Sequence, residues 1–310
     1  MSVHQPVLLE AVLELLEPPA GPSLLVDATI GEGGHAEAFL RRFSGLIVFG
    51  VDKDAEILQR ARSRLQPYQD RVRLFHRGFA EFFERFGELA ARRPDCILFD
   101  LGVSMFHFQA SGRGFSFRAD EPLDMRLEAG QGPTAADLVN GSTEPELVRI
   151  LRDYGEEPGA RRIARAIVRA REKTPITRSG ELAQIVRRAA PPKLRRARLH
   201  PATRTFQALR IAVNGELEEL ARALPAALAA LEPGGKMGVI AFHSLEDRLV
   251  KRFFQRRQSP CTCPPDSPIC QCGGKKELEI LTRKPVTAGA EERAANPASR
   301  SAKLRVARKV

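Results

Sequence analysis

Three aspartates close three apolar bursts: Asp27 follows Leu24-Leu25-Val26, Asp52 ends "LIVFGVD" and Asp100 ends "CILFD". Short apolar runs bounded by turn residues read as buried strands. One Asp at such a point is most simply a helix cap. Three of them mark a site, because ligands of open α/β sheets sit beyond the carboxyl ends of the strands. After Asp27 comes Gly31-Glu32-Gly33-Gly34-His35-Ala36, which fits the loose fingerprint G-x-G-x-x-G/A. Asp52 lies about 20 residues on, where a carboxylate holds the ribose hydroxyls of an adenosine.

Charge separates the ligands that contain adenosine. A pyrophosphate calls for bare backbone N–H groups at a helix N-terminus, and Asp27 and Glu32 would repel it. S-adenosylmethionine has no phosphate. Its sulfonium and ammonium suit carboxylates, and its own carboxylate suits glycine N–H groups. The pattern therefore favours S-adenosylmethionine over NAD. Phe79, in "HRGFAEFF", follows the third strand, where a ring can lie against adenine. The spacing of Phe82, Phe83 and Phe86 assigns those rings to the core face of a helix.

Such residues need a frame. The bursts Leu24–Ala28, Leu46–Val51, the shorter Val72–Phe75, and Cys96–Phe99 alternate with helical stretches, notably Asp54–Leu65 and Phe79–Ala91. That rhythm predicts a parallel sheet with helices on both faces. "KMGVIAF" supplies a fifth strand after the turn "EPGG", and "ELEIL" and "AKLRVAR" alternate like an antiparallel pair at the sheet edge. Between the fourth and fifth strands, Pro145–Asp153, Ala160–Arg171, Gly180–Ala189 and Thr205–Leu224 read as helices. The expectation is an inserted all-helical domain over 105–213, with 1–104 and 214–310 forming one discontinuous α/β domain and a last helix, Asn214–Leu231, back on the sheet.

The chain has 310 residues, 43% of them hydrophobic, enough for a sizeable core. No apolar run approaches membrane-spanning length. The opening "MSVHQPVLLEAV" lacks a basic segment followed by an apolar one, so a cytoplasmic location is expected. The net charge is +11, which fits a polyanionic partner. Its distribution sharpens that reading. From Arg187 to Arg210 there are eight Lys or Arg, among them Arg195, Arg196, Arg198 and Arg204, and no acid. Arg161, Arg165 and Arg169 share one helix face in "ARRIARAIVRAR". A solvated face is the ordinary meaning of such a stripe; two acid-poor tracts in one insert favour an RNA-phosphate surface. Cys261, Cys263, Cys270 and Cys272 form two C-x-C pairs. Four thiolates could close a structural zinc site, though the usual spacing is C-x₂₋₄-C and a reduced loop is the alternative.

At this point the chain closely resembles the RsmH (MraW) family of bacterial small-subunit ribosomal RNA methyltransferases. The runs that carry the resemblance include "HQPVLLEAV", "DATIGEGGHA", "GVDKD", "FDLGVS", "RGFSFRADEPLDMR", "HPATRTFQALRIAVN", "PGGKMGVIAFHSLEDRLVK" and "NPASRSAKLRVA", nearly end to end. The resemblance implies a class I (Rossmann-like) S-adenosylmethionine-dependent fold with a helical insertion. It also implies methyl transfer to N4 of a cytidine in the decoding region of 16S ribosomal RNA. It maps cofactor contacts onto Gly33, Gly34, His35, Asp52, Phe79 and Asp100. A further contact falls at His107, where the family usually has Gln. Met105-Phe106 replace its usual Ser-Pro.

That chemistry asks for a hydrogen-bond acceptor on the cytosine amino group. Asp100 is the first candidate and His243, in "FHSLEDR", the second. Ser244 beside it has no G-x-S-x-G elbow, which speaks against a hydrolase. A target base must leave its stack; Phe115 and Phe117, flanked by Arg113 and Arg118 in "SGRGFSFRAD", suit an RNA-base pocket, or ordinary packing of the insert. Two other functions remain open. One is an RNA-binding ribosome-assembly factor without catalysis, against which Gly33, Asp52 and Asp100 argue. The other is an N4 or N6 DNA methyltransferase, whose [DNS]-P-P-[YF] run is missing at Asp100-Leu101-Gly102-Val103. The expected partner is the small ribosomal subunit, with the chain a monomer or homodimer.

Overall fold

The computed structural model describes residues 6–191, 200–260, 263 and 272–310. Its sheet has seven strands: β1 (Ser23–Asp27), β2 (Leu46–Asp52), β3 (Val72–His76), β4 (Cys96–Asp100), β5 (Lys236–Ala241), β6 (Leu278–Ile280) and β7 (Lys303–Lys309). They lie in the order β3-β2-β1-β4-β5-β7-β6. The first five are parallel, and β7 runs antiparallel to both β5 and β6. This is the Rossmann-like class I methyltransferase arrangement. The expected antiparallel pair is β6 with β7; β6 takes the edge and β7 sits inside it.

The apolar runs follow from this order. All of β1 is buried, as is β4 up to its last residue, because helices cover both faces of a parallel sheet. Alternate side chains therefore enter two different cores. Leu24, Val26, Ile97, Phe99 and Val239 pack with Phe82, Phe83 and the helix Glu216–Ala230. Leu25, Val48, Leu98 and Ile240 pack on the other side with the helices Leu9–Leu15 and Gly34–Arg42. Strand β3 lies at the opposite edge and is only partly buried, hence its shorter apolar signal. From β1 the chain winds outward to β2 and β3, then returns to β4 on the other side. The β1–β4 boundary is thus a topological switch point, with its crevice at the strand ends.

The chain divides into two compact units, Met1–Gly102 with Glu218–Val310, and Val103–Leu217. The second has its own core, built on Leu147, Leu151, Ile163, Ile167, Leu182, Val186, Phe206 and Leu209. Two expected helices are interrupted. Thr205–Leu224 breaks because Gly215, at φ 59°, caps the helix Thr203–Asn214 in the left-handed region. Phe79–Ala91 divides into Phe79–Glu84 and Phe86–Leu89 around Arg85.

Candidate active site

The turn after β1 shows why glycine is needed there. Gly31 and Gly33 have φ of 52° and 81°, a region costly for side-chain-bearing residues. Gly33 then starts the helix Gly34–Arg42. Asp52 closes the turn from the neighbouring strand: its carboxylate accepts from Gly31 N–H at 3.2 Å and from Asp54 N–H at 2.9 Å. The glycine turn and Asp52 are therefore one hydrogen-bonded unit.

Asp27 is 1% exposed. Burial pushes its carboxyl up to about 7; the Thr29 N–H, at 3.3 Å, opposes that rise and the Asp52 charge adds to it. Asp100 is also pushed well above the usual carboxylate range, first by burial, then by Asp27, then by Glu246. These carboxyl groups leave a local deficit of positive charge. Glu32 contributes less than expected, because it lies 3.7 Å from the Arg60 guanidinium. The acidity of the site rests on Asp27, Asp52 and Asp100.

Asp100 is held on two sides. Its backbone N–H donates to Thr29 Oγ1 at 2.6 Å, and its Oδ2 lies 3.4 Å from His35 Nδ1. His35 is 5% exposed, and its Nε2 lies 3.0 Å from the Val7 carbonyl. A carbonyl only accepts, so Nε2 carries a hydrogen. The Nδ1–Oδ2 contact then needs a proton of its own, held by the imidazole or by the carboxyl; otherwise two lone pairs would face each other. The other oxygen, Asp100 Oδ1, is buried without a hydrogen-bond partner among the described residues. A buried unsatisfied acceptor is costly and calls for a donor.

Phe79 opens its helix and meets Phe99 edge-on at 5.6 Å. Beside it, a Cβ on Gly78 would come within 2.5 Å of Glu219 Oε1, and Glu219 pairs with Lys53 at 3.1 Å. His243 is the N-cap of the helix Ser244–Gln258. Its Nδ1 accepts from Glu246 N–H at 3.3 Å, and Glu246 Oε2 accepts from the N–H groups of Phe242 and His243. Its Nε2 is 3.1 Å from Glu246 Oε1 but out of hydrogen-bond alignment. The ring that the sequence suggests as a second base is thus engaged in a capping box.

The structure brings together Gly33, Gly34, His35, Asp52, Phe79 and Asp100 in the sheet unit. His107, Arg113, Phe115, Phe117 and Arg204 all belong to the other unit. There His107 is buried, in ring contact with Phe106 and with Phe115 at 5.1 Å. Phe115 is 4% exposed in the insert's core. Phe117 stacks on His200 at 4.4 Å and meets Phe206 edge-on. Arg113 donates to the Arg126 and Leu127 carbonyls, and Arg204 to the Glu156 carbonyl. These arginines brace the backbone. Arg195, Arg196, Arg198, Cys261 and Cys270 lie outside the described residues; Cys263 is half-buried and Cys272 exposed.

Sequence reasoning missed Thr29, Val7 and Glu246. Thr29 had a local signal, two residues after an Asp at a strand end. Glu246 had one in the spacing His243-x-x-Glu. The Val7 carbonyl had none, since it reaches His35 only through folding.

A family model described as the MraW methylase family matches residues 1–310. The ribosomal RNA small subunit methyltransferase H of Treponema denticola is 52% identical over 309 residues, covering 99% of this chain and 98% of its own. The protein of that name from Heliobacterium modesticaldum is 49% identical over 310 residues, with 99% and 98% covered. A solved rRNA methylase from Streptococcus thermophilus covers 100% of this chain and 99% of its own at 11% identity, with a TM-score of 0.44; the strand order, not that likeness, carries the fold.

Proposed function

The chain belongs to the MraW methylase family, and on that premise we propose that it transfers a methyl group from S-adenosylmethionine to N4 of a cytidine in the decoding region of 16S ribosomal RNA. The observation that carries the reading is the group of carboxyls at the ends of β1, β2 and β4, with Asp27 pushed up to about 7 and Asp100 Oδ1 buried and unsatisfied. Such a site gains from a bound cation and would repel a diphosphate.

The residues fit the cofactor. Asp52 would take the ribose hydroxyls, Phe79 the adenine face, and the Gly34 N–H at its helix start the carboxylate, Gly33 N–H being donated to the Ile30 carbonyl at 2.8 Å. Asp27, ionised on binding, would face a cationic group. S-adenosylmethionine, when bound, supplies a methyl carbon on a cationic sulfur. The remaining work belongs to the chain. Much of it is alignment for in-line displacement, which is worth about 7–11 kcal/mol in favourable cases. Asp100 Oδ1 is the acceptor for a hydrogen of the exocyclic amine. With Asp100 ionised beside the bound cation, that contact turns the nitrogen lone pair out of ring conjugation, and Oδ1 takes the proton once nitrogen has gained its methyl. His35, tied to Val7, fixes the carboxyl plane from the other oxygen.

The relatives named above act, by their names, on small-subunit ribosomal RNA; the same substrate class is proposed here, in the cytoplasm. The test is labelled methyl transfer to small subunits, naked 16S RNA and DNA, with nucleoside mass spectrometry on the products. The expected product is N4-methylcytidine in RNA. Label confined to DNA, or to another nucleoside, would sink the reading.

A further inference from the structure

Among the described residues the sheet unit carries a basic surface of its own, away from the strand-end carboxyls. It is a cleft of about 680 Å³ between the helix Ser244–Gln258 and the edge strand β6. Lys251 and Gln255 line it from the helix, Lys276 and Arg283 from the two ends of β6, and Arg305 from β7. Lys251, Lys276 and Arg283 are all exposed.

The acids nearby are already engaged. Asp247 takes Arg305 at 2.7 Å and Lys303 at 3.2 Å. Glu277 takes Arg257 at 2.6 Å. Glu279, the acid in the cleft lining, takes Arg308 at 2.5 Å, and that partner more than the farther Lys276 holds its carboxyl low. No carboxylate among the described residues forms an ion pair with Lys251, Lys276 or Arg283. Like charges gathered in one concavity repel unless an anion joins them.

The number of cations selects the kind of anion. Lys276 and Arg283 stand on either side of the three-residue strand β6, and Lys251 faces them from the helix across the same cleft. A single phosphate offers one group to these cations, whereas a strand charged at every nucleotide offers one to each. We propose that this cleft binds the phosphate backbone of the RNA substrate, so that the sheet unit holds RNA at its β6 edge as well as at its strand ends. The inference rests on the RNA reading above and extends it to residues outside the methyl-transfer site.

The test uses the full-length chain with K251E, K276E and R283E combined. Filter binding to a 16S RNA fragment across a potassium chloride series is read beside calorimetric S-adenosylmethionine affinity. A control carries R41E, R62E and R93E, which make the same change in net charge at exposed positions elsewhere. RNA affinity is expected to fall roughly tenfold or more in the cleft variant, and its log–log salt slope to become shallower by about 2. The cofactor Kd stays unchanged, which also reports an intact fold. Unchanged affinity and slope, or an equal loss in the control, would overturn the proposal. The readout is binding, so it stands apart from chemistry: a wild-type chain that binds the RNA but methylates no nucleoside overturns the proposed reaction and leaves the cleft's own outcome legible.

Discussion

Asp27 carries the sharpest pH signature. Its carboxyl stands at about 7 when folded, against 3.8 for an ordinary Asp. Between those values the folded chain keeps a proton that the unfolded chain has lost. Stability contributed here is therefore complete below about pH 4, falls as pH rises, and levels off above about 7. The difference corresponds to about 4 kcal/mol. D27N should raise the thermal midpoint of the ligand-free chain at pH 8 and change little at pH 4; a loss of stability at pH 8 would refute the burial argument. A cation beside Asp27 favours its ionised form. S-adenosylmethionine affinity should thus tighten as pH rises from about 5.5 to 8 in the wild type and stay flat in D27N, as titration calorimetry would show. For Asp100, D100N should lower kcat by about 10²–10⁴, with a smaller change in the cofactor KM. H35A should lower kcat and move the acid limb of its pH profile, because the Nδ1–Oδ2 contact is lost. An unmoved profile would reduce His35 to packing.

Helix starts divide positioning from chemistry. His243 caps the helix Ser244–Gln258 through Nδ1, so H243A should cost about 1 kcal/mol by chemical denaturation. Asn is itself a good N-cap, and H243N should keep both stability and kcat. A stable H243N without activity would restore His243 as a base. At the other helix start, Gly33 has φ 81° and an added Cβ would lie 3.1 Å from Leu65 Cδ1. G33A should cost about 1–2 kcal/mol from backbone strain alone. The strands were readable because β1 and β4 are buried on both faces and so are apolar throughout. The interruption at Gly215 was signalled by glycine, the usual C-terminal helix stop. The one at Arg85 had no such marker, since the apolar spacing of Phe82, Phe83 and Phe86 runs through it.

Across the whole molecule, a net charge of +11 predicts RNA affinity that falls steeply with salt. The acid-free tract Arg187–Arg210 locates part of that charge. Reversing Arg195, Arg196 and Arg198 to Glu should weaken binding to small subunits and leave cofactor affinity unchanged; equal loss of both would refute a phosphate-contact role. Among the described residues no helix is long and apolar enough to cross a membrane.

The amino-acid order alone was enough for the parallel sheet, the glycine turn and the row of strand-end acids. Each of these is a local pattern of burial or backbone freedom, written in adjacent residues. Folding was needed to bring Thr29 and His35 against Asp100 and Val7 against His35, to leave one Asp100 oxygen unsatisfied, and to engage His243 in a helix cap. It also set the paired acids around β6 apart from Lys251, Lys276 and Arg283. Hydrogen-bond partners and unpaired charges depend on what packs alongside from distant parts of the chain, and neighbouring letters do not record that.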